Sequence, residues 1–412
     1  MPTGLRDYRL LFATRILRMF GYGFLSVILV LYLAALGWDE TRIGLLLALT
    51  LAGDAVITLW MTTRASQFGL RRMLLAGALL MAGAGVVFSW GSHFLVLLVA
   101  ATLGVISPSG YEVGPFLAIE QSALAQLIPG EKRTGTFAWY NLVGMLATAV
   151  GSLAGGLVTR MGQSFGLDRV ASFRLVLLGY AAIGLILAGA FSCLSPAVEV
   201  EGNSGSGQQA RQGWLGLRQS RGNVLRLSGL FALDAFGGGF VVQSLLAYWF
   251  FLRFGVEEAT LGGIFFGANI LAGLSSLLAS RIAARIGLVN TMVFTHLPSN
   301  ILLMIVPLMP TLPLAVFVLL VRFSISQMDV PTRQSYIMAI VTPEERAAAA
   351  GVTGTARTVG ASVAPAIAGV LLSHPALMSL PLLIAGGLKV VYDLLLLWGF
   401  RTLRPPEETH RG

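Results

Sequence analysis

Charged side chains are scarce in this chain. Asp, Glu, Lys and Arg make up 11% of the 412 residues, whereas a soluble domain carries about 25%. Apolar stretches of about 20 residues, each able to cross roughly 30 Å of hydrocarbon, instead recur from Leu10 to Phe400. This composition excludes a soluble enzyme, and the lack of alternating segments of about ten residues argues against an outer-membrane barrel. We therefore expect an all-α membrane protein.

Cysteine is also nearly absent. Cys193 is the only one, which excludes an internal disulfide and a cysteine-based metal cluster. The four histidines do not have the spacing of metal ligands, and the sequence contains no Gly-x-x-x-x-Gly-Lys-Ser/Thr phosphate loop. We predict no metal, no cofactor and no direct ATP hydrolysis.

Lysine is limited to Lys132 and Lys389, so the net charge of +9 comes almost entirely from arginine. The arginines are scattered through loops and helices and form no basic patch interleaved with aromatic residues. We therefore predict no nucleic-acid partner and attribute the positive charge to membrane topology.

Twelve apolar stretches bounded by turn-forming residues predict twelve transmembrane helices. They lie near residues 9–36, 43–63, 70–91, 94–127, 134–160, 171–194, 226–252, 259–281, 288–309, 312–340, 346–373 and 376–401. The stretch between the sixth and the seventh is polar and rich in Gly and Ser, as a flexible linker is. The chain is predicted to consist of a six-helix bundle at 1–194, a linker at 195–225 and a second six-helix bundle at 226–412.

Alternate loops differ in positive charge. One set of loops holds only Arg42, Arg160, Arg169 and Arg253. The other set, which includes both termini and the linker, holds many more, among them Arg71, Arg72 and Arg285. Because Lys and Arg concentrate in cytoplasmic loops, we predict that both termini and the linker are cytoplasmic.

Segments of the first half recur in the second half, in the same order. Phe20-Gly-Tyr-Gly-Phe24 matches Phe236-Gly-Gly-Gly-Phe240, and Gly130-Glu-Lys-Arg133 matches Pro343-Glu-Glu-Arg346. Five such matches at equivalent places indicate an internal duplication. Two parallel six-helix repeats joined by a cytoplasmic linker resemble the major facilitator superfamily over essentially the whole chain. The resemblance implies a monomeric secondary transporter, not an enzyme, that moves a small molecule through the bilayer by alternating access.

The loop between the second and third helices resembles the family's Gly-x-x-x-Asp-Arg-x-Gly-Arg-Arg motif. The residues that keep the motif are Gly69, Arg71 and Arg72 in the first half and Arg285 and Gly287 in the second. Thr62 and Ser66 replace the usual Gly and Asp, and Ala284 stands where the second-half loop would have an acid. In the family this loop latches the outward-facing state, so the resemblance implies a gating role.

Gly151-Ser-Leu-Ala-Gly-Gly156 on the fifth helix resembles the family's Gly-Pro-x-x-Gly-Gly antiporter motif, with Ser152 in place of Pro. The resemblance implies export by antiport, and the alternative is ordinary close packing of helices through small residues. The predicted packing residues are Gly151, Gly155 and Gly156, with Pro365 and Gly369 as their counterparts in the second half.

Four ionisable residues lie at a similar depth inside predicted spans, where charge is costly and usually functional. They are Arg18, Glu120, Asp234 and Arg333. The repeat makes Arg18 equivalent to Asp234 and Glu120 equivalent to Arg333, with opposite signs. In the family their helices line the central cavity. We hypothesise that pairs among them break and reform during transport, with Glu120 or Asp234 releasing a proton; the alternative is that they are inert salt bridges that hold the two halves together.

A second group of charges lies nearby. Asp329 is one turn from Arg333, at the spacing at which opposite charges meet on a helix. Glu112, near the middle of the fourth helix, suits a proton carrier. Arg322 and Arg357 are shaped to hold a carboxylate or phosphate, unless Glu112 and Asp329 neutralise them.

Other residues receive smaller roles. Tyr22 and Tyr111, flanked by glycines, are predicted to line a substrate pocket. Lys389 and Asp393, four residues apart on the twelfth helix, are predicted to form only a local pair.

These features favour proton-coupled efflux of a small molecule by antiport, with protons as the coupling ion. The alternative within transport is a symporter or exchanger of organic anions, which the buried arginines favour. An anionic or an amphipathic substrate suits the predicted site. A non-transporting sensor or a lipid flippase on the same fold is the alternative of another class.

Overall fold

The computed structural model of the chain describes residues 3–111, 116–128, 133–198, 217, 219–342, 345–401 and 403. Sixteen α-helices lie in this part of the chain. The first eight are α1 (Thr3–Ser26), α2 (Leu29–Ala35), α3 (Glu40–Phe68), α4 (Leu70–Trp90), α5 (Phe94–Leu103), α6 (Phe116–Leu127), α7 (Arg133–Ser164) and α8 (Arg169–Ser192). The others are α9 (Arg221–Gly239), α10 (Gln243–Phe254), α11 (Glu258–Ile286), α12 (Leu288–Ile305), α13 (Leu312–Phe323), α14 (Asp329–Ile340), α15 (Arg346–Leu372) and α16 (Leu380–Phe400).

Ten helices or pairs of consecutive helices in the described residues are long and apolar enough to cross a membrane. Two shorter apolar helices are α5 and α13. The predicted all-α membrane fold is confirmed, whereas the number of twelve spans stays a prediction.

Four predicted spans are interrupted. The first breaks between α1 and α2, the fourth between α5 and α6, the seventh between α9 and α10, and the tenth between α13 and α14. Single helices were expected near 94–127 and 312–340. The fourth span breaks because Pro108 cannot continue a helix and Gly110 has a φ of +70°. Interruptions at equivalent places in the two halves agree with a duplicated repeat.

The chain separates into two compact units by its internal contacts. Residues 1–202 and 242–270 form unit 1, and residues 203–241 and 271–412 form unit 2. The helix α10 and the first part of α11 therefore pack in unit 1, although they follow the linker in the chain. The predicted division at residues 195–225 separates the two sequence repeats, not these two units, and it stays a prediction.

A buried amide network joins α10 to the other helices of unit 1. The Gln243 side chain donates to Ser26 Oγ at 2.8 Å and to Ser152 Oγ at 3.1 Å. The Asn269 amide donates to Gln243 Oε1 at 3.0 Å. Ser152 stands where the antiporter motif has Pro. Its hydroxyl accepts from the buried Gln243 amide, and a Pro at this position would leave the amide without this partner.

Small residues bring α7 against α1 and α11. A Cβ added to Gly151 would collide with the backbone of Phe20, and one added to Gly156 would collide with the backbone of Glu258. Gly155 meets α1 in the same way. Close packing of helices through Gly151, Gly155 and Gly156 is thus a physical role for the glycines of the motif. Their predicted counterparts in the second half, Pro365 and Gly369, are buried in α15.

We expect Gly151→Val to lower the free energy of unfolding by about 1–3 kcal/mol, since α1 and α7 must move apart. Gly189→Val on α8 is the matched control, because a Cβ there meets nothing within 4 Å. Denaturation of the purified proteins in mixed micelles measures the difference. Equal losses in the two variants would show that the contact with Phe20 does not set the packing.

Candidate functional site

An arginine and a glutamate form a buried, two-pronged ion pair in unit 1. Arg18 on α1 donates from Nη1 to Glu120 Oε1 at 2.6 Å and from Nη2 to Glu120 Oε2 at 2.7 Å. Both side chains are 0% exposed. This fork geometry is the strongest form of an Arg–carboxylate contact, and it compensates the cost of burying both charges.

Two hydroxyl groups complete the shell of Glu120. Thr14 Oγ1 donates to Oε1 at 3.2 Å, and the Tyr140 hydroxyl donates to Oε2. The Arg18 guanidinium lies 4.7 Å from the centre of the Phe116 ring, which adds a cation–π contact. Glu120 therefore sits in a site built to hold it as an anion. We call Thr14, Arg18, Glu120 and Tyr140 the first cluster.

An aspartate in unit 2 is surrounded by cations from three other helices. Lys389 on α16 donates to Asp234 Oδ1 at 2.6 Å. Arg333 on α14 and Arg357 on α15 donate to Oδ2 at 3.2 Å and 3.1 Å. His296 Nε2 on α12 lies 3.8 Å from Oδ1. Asp234 thus ties α14, α15 and α16 to α9 through one carboxylate.

Two further carboxylates balance these cations. Asp329 accepts from Arg333 at 2.9 Å. Asp393 Oδ1 lies 2.9 Å from His296 Nδ1. The same group of helices thus holds three acids, Asp234, Asp329 and Asp393, and three permanent cations, Lys389, Arg333 and Arg357. We call these six residues, with His296 and Asn300, the second cluster.

Exposure differs among the cations around Asp234. The Arg357 side chain is 34% exposed, whereas those of Arg333 and Lys389 are 6% and 10% exposed. Arg357 is therefore the most exposed of the cations around Asp234. Its fork has donors to spare beyond the single one that Asp234 accepts.

The two clusters repeat one pattern with reversed signs. In unit 1 the cation Arg18 lies on the first span and the anion Glu120 on the fourth. In unit 2 the anion Asp234 lies on the equivalent first span and the cation Arg333 on the equivalent fourth. All four belong to interrupted spans. The pairing of first and fourth spans within each unit agrees with the duplication.

The structure corrects three expectations about partners. The ion pairs of Arg18 with Glu120 and of Asp234 with Arg333 each lie within one unit, so the alternative that these residues hold the halves together is wrong for these pairs. Arg357 binds Asp234 rather than Asp329.

The predicted local pair of Lys389 with Asp393 is also wrong. Lys389 binds Asp234 and Asp393 binds His296. Although i,i+4 spacing aligns the two side chains, charges on neighbouring helices reach each of them.

Three other predicted site residues lie on α1, in the break of the fourth span and on α13. Glu112 lies outside the described residues. Tyr22 is buried on α1, one turn after Arg18, and Tyr111 lies in the break of the fourth span, where its carbonyl accepts from Ser107 at 2.7 Å. Arg322 is on α13, with its guanidinium 4.8 Å from the centre of the Phe323 ring. Their roles stay predictions.

The two predicted gating loops share a backbone feature. Gly69 precedes α4 with a φ of +92°, and Gly287 precedes α12 with a φ of +86°. Residues with a Cβ rarely adopt a φ in this range, so glycine is favoured at both positions. Arg71 donates to the carbonyl of Ser192 at the end of α8, while Arg72 and Arg285 are exposed. The gating role of these two loops stays a prediction.

Sequence reasoning missed several members of the clusters: Thr14, Tyr140, His296, Asn300 and Lys389. One signal was available for two of them. His296 and Asn300 are polar residues one turn apart within an otherwise apolar span, and such residues in a membrane helix usually bond to something. Thr14 and Tyr140 had no such signal, because single hydroxyl groups are common in membrane helices.

The chain matches known proteins along most of its length. It matches the sequence profile described as Major Facilitator Superfamily over residues 11–365, with a second match over 254–412. An uncharacterised membrane protein of Saccharomyces cerevisiae is 31% identical over 420 residues, which cover 95% of this chain and 93% of the yeast protein.

Solved structures share the fold at low sequence identity. A bacterial homologue of the human lysosomal transporter Spinster, inward-facing and occupied, has a TM-score of 0.74 at 15% identity, with 98% of each chain covered. A mutant of the nucleoside transporter NupG has a TM-score of 0.74 at 14% identity, covering 96% of this chain and 100% of that one. A D-xylose–proton symporter has a TM-score of 0.74 at 15% identity, covering 94% and 96%.

Proposed function

Since the chain belongs to the major facilitator superfamily, whose members are transporters and not enzymes, we propose that it exports a small molecule in exchange for protons. The proposed protein is a monomer in a bacterial inner membrane, with twelve spans and with both termini and the linker in the cytoplasm. Its halves, 1–194 and 226–412, give alternating access to one substrate site.

The observation that carries this proposal is the pair of buried carboxylates, Glu120 and Asp234. Each is held by permanent cations and lies on an interrupted span. A buried ion pair is stable only while both charges persist, because a lone buried charge is costly. A proton that enters either cluster therefore changes which arrangement of helices is favoured, which is what coupling requires.

Antiport is supported by two features. The fifth-span motif resembles that of antiporters. In addition, a substrate cation and a proton would compete for the same carboxylates in the clusters, and competition for one site makes their movements opposite.

We expect substrate-dependent proton flux from purified protein in liposomes that contain a trapped pH dye, challenged with cationic, neutral and anionic compounds. The flux should be lost in Glu120→Gln and in Asp234→Asn, because each change removes the charge that its cations hold. Asp39→Asn is the matched control, since the Asp39 side chain is 51% exposed in its pair with Arg42. Unchanged proton flux in both Glu120→Gln and Asp234→Asn would contradict the proposed coupling.

A second candidate function is exchange of organic anions. The partial exposure of Arg357 beside Asp234 favours it, because an incoming carboxylate or phosphate can bind the free donors of this guanidinium. In the same liposomes, a labelled anion that crosses without proton movement, and no longer crosses in Arg357→Gln, would favour this function over proton antiport.

A further inference from the structure

A histidine that the sequence analysis set aside lies between two buried acids. His296 Nδ1 is 2.9 Å from Asp393 Oδ1, and its Nε2 is 3.8 Å from Asp234 Oδ1. The side chain of His296 is 7% exposed, and that of Asp393 is 0% exposed. Both ring nitrogens therefore point towards carboxylate oxygens.

The pair of His296 and Asp393 can take up one proton. Before it does, the neutral ring carries its hydrogen on Nδ1 and donates to the ionised Asp393. A neutral imidazole has one N–H donor and one acceptor nitrogen, whereas the protonated ring has two donors. If the ring is protonated, its Nδ1 donates to Asp393 and its charge lies 3.8 Å from Asp234 Oδ1. If the ring keeps a proton only on Nε2, then Nδ1 is an acceptor, and its close approach to Asp393 requires the proton on that carboxyl group. The proton resides on His296 in one arrangement and on Asp393 in the other.

An amide beside the pair suits both arrangements. Asn300 Nδ2 is 2.9 Å from Asp393 Oδ2 and 3.1 Å from His296 Nδ1. Its Oδ1 is buried and has no hydrogen-bond partner among the described residues. The amide can donate to an ionised Asp393, or turn over so that its free oxygen accepts from a protonated one.

The surrounding charges single out this pair within the second cluster. Asp234 contacts the permanent cations Lys389, Arg333 and Arg357, so protonating it would leave all three cations without this charged partner. Asp393 contacts His296 and Asn300 but none of these cations. A proton therefore enters more easily at Asp393 and His296 than at Asp234.

Charged groups on the helices around His296 affect where this proton binds. Titratable or charged groups on the helices around α12 include Asp234 on α9, Arg322 on α13, Asp329 and Arg333 on α14, Arg357 on α15, and Lys389, Tyr392 and Asp393 on α16. The Tyr392 ring stands edge-on to the His296 ring at 5.9 Å. Within the second cluster, three acids and three permanent cations cancel while His296 is neutral and Asp393 is ionised. One added proton leaves the cluster with a net positive charge.

We propose that His296 and Asp393, positioned by Asn300, form the proton-binding site that couples transport. This inference rests on the proposed function and names the atoms that take up the proton. Protonation adds one positive charge next to Asp234. This charge compensates part of the negative charge that Lys389 and Arg357 otherwise compensate, and so weakens the ionic contacts that tie α15 and α16 to α9. A cationic substrate near Asp234 competes with this proton, whereas an anionic one is favoured by it.

The first test is spectroscopic and needs no substrate. The full chain, labelled with ¹⁵N-histidine in lipid nanodiscs, is titrated over the range around the ordinary histidine pKa of about 6.5, and the infrared carboxyl bands are followed in parallel. The His296 signal is identified by its loss in His296→Gln and the Asp393 band by its loss in Asp393→Asn. We expect both signals to change with one common midpoint, because they share one proton.

The variants and a control make the result decisive. Each variant should abolish the common transition in the remaining partner, whereas His374→Gln, at an exposed histidine, should leave it intact. If His296→Gln does not fold, Asp393→Asn by itself decides, through the titration of His296. Separate midpoints for the two groups, or no titration of either, would overturn the proposal.

The second test measures coupling. With a compound that drives proton flux in the liposomes, His296→Gln and Asp393→Asn should still move the labelled compound but lose the proton flux. Normal proton flux in both variants would overturn the proposal. If the unmodified chain moves no compound at all, the proposed function fails, while the spectroscopic result still decides whether this pair holds the proton.

Discussion

Asp234→Asn is expected to lower the free energy of unfolding by about 3–5 kcal/mol and to abolish coupled transport. The change keeps the shape of the side chain but removes the charge that Lys389, Arg333 and Arg357 share. Breaking a buried ion pair by removing one partner costs about this much, because the remaining charge stays buried without compensation. Here one substitution affects three cations from three helices.

A compensating substitution separates the causes of this loss. Lys389 makes the shortest contact with Asp234, at 2.6 Å, and its side chain is 10% exposed. Adding Lys389→Met to Asp234→Asn removes the cation with the shortest contact together with its partner, so we expect the double variant to regain part of the stability. Transport should stay absent. Denaturation in mixed micelles and the liposome assay give the two readouts, and Asp39→Asn should change stability by less than about 1 kcal/mol.

The opposite outcome would be equally informative. If Asp234→Asn unfolds like the control, Asp234 does not hold its three cations in the folded chain. If the double variant transports normally, the ionic contact of Asp234 with Lys389 has no part in the transport cycle.

Arg18→Met is the second substitution with a large expected effect. It leaves Glu120 buried with only the hydroxyl groups of Thr14 and Tyr140 as partners in the first cluster. We expect a loss of about 3–5 kcal/mol in the free energy of unfolding. Transport should also be lost.

The double variant Arg18→Met with Glu120→Met tests whether the pair is functional or inert. Replacing a whole buried ion pair by apolar side chains is often neutral or stabilising, so the double variant should recover the stability that Arg18→Met loses. If the pair serves transport, activity stays absent in this stable protein. Recovery of both stability and transport would show that the Arg18–Glu120 pair is only structural.

The family and the helical membrane fold could be predicted from local sequence. Apolar stretches of about 20 residues mark spans because the bilayer has a fixed thickness, and ionisable residues within them stand out for the same reason. Arg18, Glu120, Asp234 and Arg333 were found in this way. The contact of Asp329 with Arg333 was also foreseeable, since it depends only on the spacing of residues within one helix.

Contacts between helices could not be predicted in this way. Arg18 meets Glu120 across 102 residues, and Lys389 meets Asp234 across 155. Such contacts depend on how each helix is rotated about its own axis, and a single residue turns the helix by about 100°. Lys389 illustrates the consequence, because its nearest acid in sequence, Asp393, is not its partner.

The sequence by itself determined that this chain is an α-helical membrane protein with recurring segments and with charges in its apolar stretches, because hydrophobicity and spacing are local properties. Tertiary structure decided which charges meet, that the first, fourth, seventh and tenth spans are interrupted, and that His296 lies between Asp234 and Asp393. These features arise from the packing of α9, α12, α14, α15 and α16 around shared polar groups. A buried charge is stable only beside its partner, and only the packed helices bring the partners together.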